Sequence, residues 1–247
     1  MPGDRIVLNT GVLEIRVDRS GFAERPTFQP ELIDDLPDVP VLPETLLSME
    51  LRAREYSVDL HEMAQVILSD IGATIQILRL AAGEYGTSDD RPVRIEDCIS
   101  SLGLQACLKA AARLTVSSQS CNRAVSETWA HCREAAQYSK TIAEAMAGVH
   151  PEDAYWAGLF HALPLFPGIL GWNCREFGLK DDASAGLRMA ERWHLPRCVR
   201  ELFREMHQPG HGSHWTGIVS QAHEMARRSS IDCPLYDTLI PRLHKRA

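Results

Sequence analysis

Ten histidines are spread over the 247-residue chain, and their spacing sorts six of them into two sets. Three fall where a 3.6-residue period aims a side chain inward. His131 shares a face with Ala135 and Ile142, His161 follows Ala154 and Gly158 at i−7 and i−3, and His223 shares a face with Val219 and Ala226. Imidazoles contributed by several helices are how helical metallohydrolases hold an ion that activates water. A core histidine hydrogen-bonded to a neighbour uses the same placement without any ion, and the spacing alone leaves both readings open. The second set, His207, His211 and His214, surrounds Pro209 and Gly210. Proline and glycine there preclude one continuous helix, so i, i+4 ligation does not follow from the period, and a polar loop is expected.

Other chemistries fit poorly. No serine or cysteine stands in a nucleophile elbow, and no glycine-rich phosphate loop follows a strand. The seven cysteines (Cys98, Cys107, Cys121, Cys132, Cys174, Cys198 and Cys233) are scattered, odd in number and never spaced C-x-x-C. That pattern predicts reduced thiols in a cytosol, with no thiolate zinc site. A formal net charge of −7 opposes the counterion displacement on which duplex binding depends, so nucleic acid is not an expected partner. Arg227, Arg228, Arg242, Lys245 and Arg246 gather late in the chain and read as the solvated face of terminal helices. No run of about 18 apolar residues is present, so no membrane span is expected. Met1 to Arg5 opens without the apolar stretch of a signal peptide, and the expected location is cytoplasmic.

The elements that must position the inward histidines are helices. Proline punctuates the entry at Pro37, Pro40 and Pro43, the last of which suits the first turn of a helix. Asp59-Leu-His-Glu62 reads as a capping box. It opens a helix whose apolar residues are Leu60, Met63, Ala64, Ile67 and Leu68. A second helix follows Asp70 and runs through Ile75, Leu78 and Ala82. Further helices are expected over Ile95 to Leu102, stopped by Gly103, and from Leu104 to about Val116. The longest runs from about Ser126 to Met146, and another from Pro151 through Leu163, where Pro164 and Pro167 break it. Ala183 to Trp193, Pro196 to Met206, Thr216 to Arg228 and Leu235 to Lys245 complete the series. Only the front differs, where β-branched runs flank Thr10-Gly11 and signal a hairpin. The expected fold class is all-α, with residues 1–30 a short N-terminal, β-hairpin-like extension and residues 31–247 a multi-helix bundle without internal repeat.

The order of these segments resembles the HDOD domain family. Asp35-Leu-Pro-Asp-Val-Pro-Val-Leu-Pro43 is similar to its proline-punctuated opening. The stretch from Met63 to Ala81 is similar to its pair of helices joined at Asp-Pro, with Ile71 here in place of the proline. Arg91-Pro-Val-Arg-Ile-Glu-Asp-Cys-Ile-Ser-Ser-Leu-Gly-Leu104, Trp129-Ala-His131, Ala154-Tyr-Trp-Ala-Gly-Leu-Phe-His161 and Ala190-Glu-Arg-Trp-His-Leu-Pro196 continue the match in order. The resemblance spans about residues 35 to 230.

HDOD domains are relatives of the HD metal phosphohydrolases, whose chemistry needs a His, an adjacent His-Asp and a late Asp around a metal. The resemblance puts His131 at the first His and His161 at the second, with Ala162 at the adjacent Asp and His223 at the late Asp. Two auxiliary histidine positions correspond to Asp182 and to Met206, or to His207 if the alignment slips by one. Ala162 offers no ligand and no acidic residue adjoins His161, so a hard divalent ion loses the carboxylates that would neutralise it. Leu163-Pro-Leu-Phe-Pro167 stands where catalytic relatives have a glycine-lysine turn. The resemblance therefore implies a vestigial cleft at His131, His161, Ala162, Asp182 and His223, with no catalytic residue, no metal and no cofactor. The implied function is a non-catalytic bacterial signalling module that binds a signalling protein in trans, or a small ligand in the old cleft. The alternative is a divergent metal-dependent phosphohydrolase acting on a nucleotide or cyclic dinucleotide, motivated by the inward trio; three histidines and Asp182 could together hold zinc.

Overall fold

The helices begin where the sequence supplies acceptors for their first N–H groups. The computed structural model describes residues 36–86, 93–112, 123–173, 177, 179, 183–207 and 214–229, together with the backbone of 5–8, 11–14, 27–29 and 119–122. Helix α1 (Pro43–Ala53) carries its proline in the first turn, where the missing N–H is not needed. Helix α2 (Leu60–Leu68) is capped by Asp59, whose carboxylate accepts from the N–H groups of His61 at 2.8 Å and Glu62 at 3.2 Å. The expected capping box is half formed. Glu62 pairs with Arg52 on α1 instead of reaching back to Asp59, which ties α2 to the helix before it.

Helix α3 (Ile71–Tyr85) starts at Asp70, which is fully buried. Its Oδ1 accepts from Ala73 N at 3.1 Å and from the Trp129 indole N–H at 3.2 Å, while Oδ2 accepts from Leu42 N at 2.7 Å. One carboxylate thus caps α3, holds the residue before α1 and reaches α6 (Gln119–Glu144). Ile71 occupies the first turn, the position where proline is also accepted. Gly72 follows because nothing larger fits: a Cβ there would lie 2.1 Å from the Pro40 carbonyl oxygen. Helices α4 (Ile95–Leu102) and α5 (Leu104–Ala112) meet at Gly103, whose φ of +84° lies in the left-handed region that glycine adopts without strain.

The second half is built on α6 and α7 (Pro151–Phe160), which pack along one another. Gly158 permits the approach, since a Cβ there would sit 2.5 Å from Ser139 Oγ and 2.8 Å from the Ala135 carbonyl oxygen. The expected helix through Leu163 ends three residues early. A 3-10 turn (Leu163–Leu165) and the short α8 (Phe166–Ile169) follow, with Pro164 and Pro167 in their opening turns, so both prolines start elements rather than breaking one. Helix α6 begins seven residues before the expected Ser126 and stops at Glu144, short of Met146. Helices α9 (Ala183–Arg192), α10 (Arg197–His207) and α11 (Trp215–Ser229) match the expected series within a residue or two. The expected continuation of α5 beyond Ala112, the helix over 235–245, and Arg242, Lys245 and Arg246 lie outside the described residues. Arg227 and Arg228 both pair with Glu224 on α11, as a solvated helix face would have them.

One continuous core, running from Leu36 to Val219, joins these helices. In the N-terminal extension, β1 (Arg5–Leu8) pairs antiparallel with β2 (Gly11–Glu14), the expected hairpin. A further strand, β3 (Thr27–Gln29), pairs with β2. Among the described residues, no single helix is long and apolar enough to cross a membrane.

Asp70 generates the first prediction. Asp70→Ala removes a helix cap, costing about 1 kcal/mol, and strands the buried N–H groups of Leu42 and Trp129, each worth roughly 1–3 kcal/mol. Urea unfolding should show a loss of about 3–5 kcal/mol; a loss below about 1 kcal/mol would show that the carboxylate does not organise these helices.

Candidate functional site

The three inward histidines come from different helices and meet. His131 lies on α6, His161 is the residue that closes α7, and His223 lies on α11. They are 1%, 8% and 5% exposed. Helix α6 is the common partner, packing along both α7 and α11, so the helix carrying His131 sets the distance to the other two. His223 Nδ1 sits 3.0 Å from His131 Nε2 and 2.9 Å from His161 Nε2. The rings pack at centroid distances of 4.6 to 5.4 Å. Each histidine offers one ring nitrogen to a group whose members all lie within 4.8 Å of one another.

The protonation pattern follows from partners. His161 Nδ1 lies 2.6 Å from the Gly158 carbonyl oxygen. A carbonyl only accepts, so Nδ1 carries the proton and Nε2 presents its lone pair to the centre. The glycine that lets α7 approach α6 thereby also fixes the tautomer of the histidine one turn later.

All three imidazoles are held neutral at neutral pH. Burial pushes His131 down to about 3 from an ordinary 6.5, helped by the neighbouring His161. Burial likewise lowers His161 to about 3, with His223 adding to the shift and the Gly158 carbonyl opposing it. His223 falls to about 4, chiefly through burial and His131, against the pull of Glu224.

Ala162 follows His161 directly and is fully buried, at the start of the 3-10 turn. Asp182 lies outside the described residues. Met206 packs against the core from α10, and His207 ends that helix exposed. His211 is outside the described residues, and His214 lies against the Trp215 ring at 4.5 Å. Sequence reasoning gave Asp70, Trp129 and Gly158 no part in positioning the site. The glycine's signal was its place three residues before His161, where a backbone carbonyl comes within reach of the ring.

The helical bundle brings His131, His161 and His223 together from α6, the end of α7 and α11, with the buried Ala162 following the second. The HDOD domain model matches residues 39–166, more than half of the chain, and the chain belongs to the HDOD family. No curated protein matches it. Among solved structures it is similar in fold to the MmoQ response regulator of Methylococcus capsulatus. One structure of that protein, a fragment, superposes with a TM-score of 0.61 at 19% identity, covering 83% of this chain and 91% of that one. A second gives 0.59 at 18% identity, covering 83% and 92%.

The lowered imidazole pKa values contribute to the acid sensitivity of the metal-free protein. In the unfolded chain these histidines take up protons near pH 6.5, whereas the folded state resists protonation until about pH 4 to 3. Their contribution is therefore complete above about pH 6.5 and is lost as pH falls toward the folded values. At pH 5 one such imidazole costs on the order of 2 kcal/mol. Urea midpoints at pH 7.5 and 5.0 should diverge more in the wild type than in His161→Leu; an equal divergence would show that His161 titrates normally.

Proposed function

We propose that this chain is a non-catalytic regulatory output module, acting by binding a signalling protein in trans or a small ligand, in a cytoplasmic bacterial setting. The observation that carries this reading is Ala162, a fully buried methyl group at the position that the family resemblance matches to the metal-binding aspartate of HD hydrolases. Metal-assisted phosphoester hydrolysis needs an ion that polarises the phosphoryl oxygens, an activated water and a way in for the substrate. The histidine centre is enclosed by α6, α7 and α11, with exposures of 8% or less, and the cluster of metal-ligating groups there contains only histidines among the described residues. Leu163 and Pro164, both buried, form the turn that follows Ala162, so the residues next to the histidine centre on that side are apolar. Membership of the HDOD family and the likeness in fold to a response regulator fit a regulatory role.

The test is turnover. The purified 247-residue chain is offered bis(4-nitrophenyl) phosphate, nucleotides and cyclic dinucleotides with manganese, iron or zinc. Product should form no faster than in the protein-free control. Hydrolysis that exceeds this control and disappears in His161→Leu would establish the hydrolase instead.

A further inference from the structure

The histidine trio poses a problem of proton count that its own hydrogen bonds do not solve. His161 Nε2 presents a lone pair, because its proton is on Nδ1 facing Gly158. His223 Nδ1 lies within hydrogen-bond distance of that nitrogen and of His131 Nε2 at once. If His223 Nδ1 carries a proton, that one hydrogen must serve two acceptors. If it does not, its lone pair faces the lone pair of His161 at 2.9 Å. Either arrangement leaves nitrogen lone pairs crowded in a buried space, where electrostatic repulsion is poorly screened.

We infer that His131 Nε2, His161 Nε2 and His223 Nδ1 form a three-nitrogen binding site for a borderline-soft divalent cation of the zinc type. Three observations carry it. The donors converge from three helices on one point, with separations of 2.9 and 3.0 Å for two pairs and all within 4.8 Å. Tetrahedral coordination at about 2.0–2.1 Å per nitrogen needs separations near 3.3 Å, and the two shortest here, 2.9 and 3.0 Å, lie close to that value. His161 also has the outer-shell arrangement of a metal ligand, its second ring nitrogen donating to a backbone carbonyl and fixing the orientation of the first.

The donor set dictates the class of ion. Imidazole nitrogens without a carboxylate suit zinc, cobalt, nickel and copper, whereas magnesium, calcium and manganese require oxygen ligands. Where an HD hydrolase has an aspartate late in the chain, His223 replaces an anionic oxygen with a neutral nitrogen. A hydroxide or small anion from solvent would complete the shell and offset part of the cation's charge. This site goes beyond the regulatory reading and stands whether or not the chain hydrolyses anything.

The test uses the 247-residue chain without a histidine tag, stripped with chelator and titrated with cobalt(II) and then zinc. Expected are one cobalt per chain by mass spectrometry after desalting, a visible absorption band of the tetrahedral type, its loss on adding zinc, and no binding of magnesium. His161→Leu and His223→Ala should each weaken cobalt binding by at least about 100-fold, more than outer-shell changes cost, while His207→Ala and His214→Ala leave it unchanged. Should either core variant fold poorly by circular dichroism, X-ray absorption on the zinc-loaded wild type decides by the number of imidazole shells. Three would support the site. No stoichiometric metal, an oxygen-dominated shell, or binding that follows His207 and His214 would overturn it. Metal without phosphodiester turnover keeps both readings, absence of metal and turnover removes only this one, and zinc-dependent turnover removes only the regulatory one.

Discussion

The buried carboxylate of Asp70 is the constraint from which the rest of the bundle takes its geometry. Desolvation raises its pKa, and the N–H donors from Leu42, Ala73 and Trp129, with the Thr45 hydroxyl, pull it back down. A lone buried charge is intolerable in an apolar interior; one that accepts from several donors becomes a joint. Those donors belong to the residue before α1, the first turns of α1 and α3, and the middle of α6. Each bond weakens sharply if its element slides, so the four cannot drift independently. Because Trp129 lies two residues before His131, the joint that closes the N-terminal helices also fixes the register of the helix carrying the first histidine.

From α6 the geometry is passed to α7 through absence of side chain. Gly158 lies against Ala135, Ala136 and Ser139, where any Cβ would push the helices apart. The same close approach brings α7 to the depth at which His161 meets His223, and the Gly158 carbonyl selects the ring nitrogen that faces inward. Packing and protonation are therefore set by one residue. Gly186 lets α9 pack closely on α10, where a Cβ would lie 2.5 Å from the Phe203 ring.

Much of this was legible in the amino-acid order, and what escaped has a physical reason. The helical period found α2, whose apolar residues lie on one face, and Asp59 marked its start; α3 was legible from Asp70 onward although its first five residues are all buried. Pro164 and Pro167 were misread because a proline is forbidden in a helix interior yet favoured in its first turn, and local sequence does not say which applies. The inward aim of His131, His161 and His223 followed from spacing, but their mutual distances did not. Convergence depends on how α6 crosses α7 and α11, which Gly158 and Asp70 set across sequence separations of tens of residues. Only the family resemblance assigns Ala162 to the place of an aspartate, since a buried alanine by itself is ordinary core.

Under the proposed reading, alanine in place of a carboxylate changes the charge balance of such a centre more than its shape. An aspartate beside a metal ligand supplies a negative charge that stays costly when the ion is gone, because an unpaired buried carboxylate must find other donors or take up a proton. Alanine and neutral imidazole carry no such charge. His131, His161 and His223 are all neutral at physiological pH, so no buried net charge is left there when no ion is bound. That decouples folding from cofactor supply, which an HD site with two aspartates does not allow as easily. Under the proposed reading, such a chain keeps its framework without the hydrolytic activity. Its surface is then open to selection for binding, while the three nitrogens remain aligned by helices that persist for other reasons.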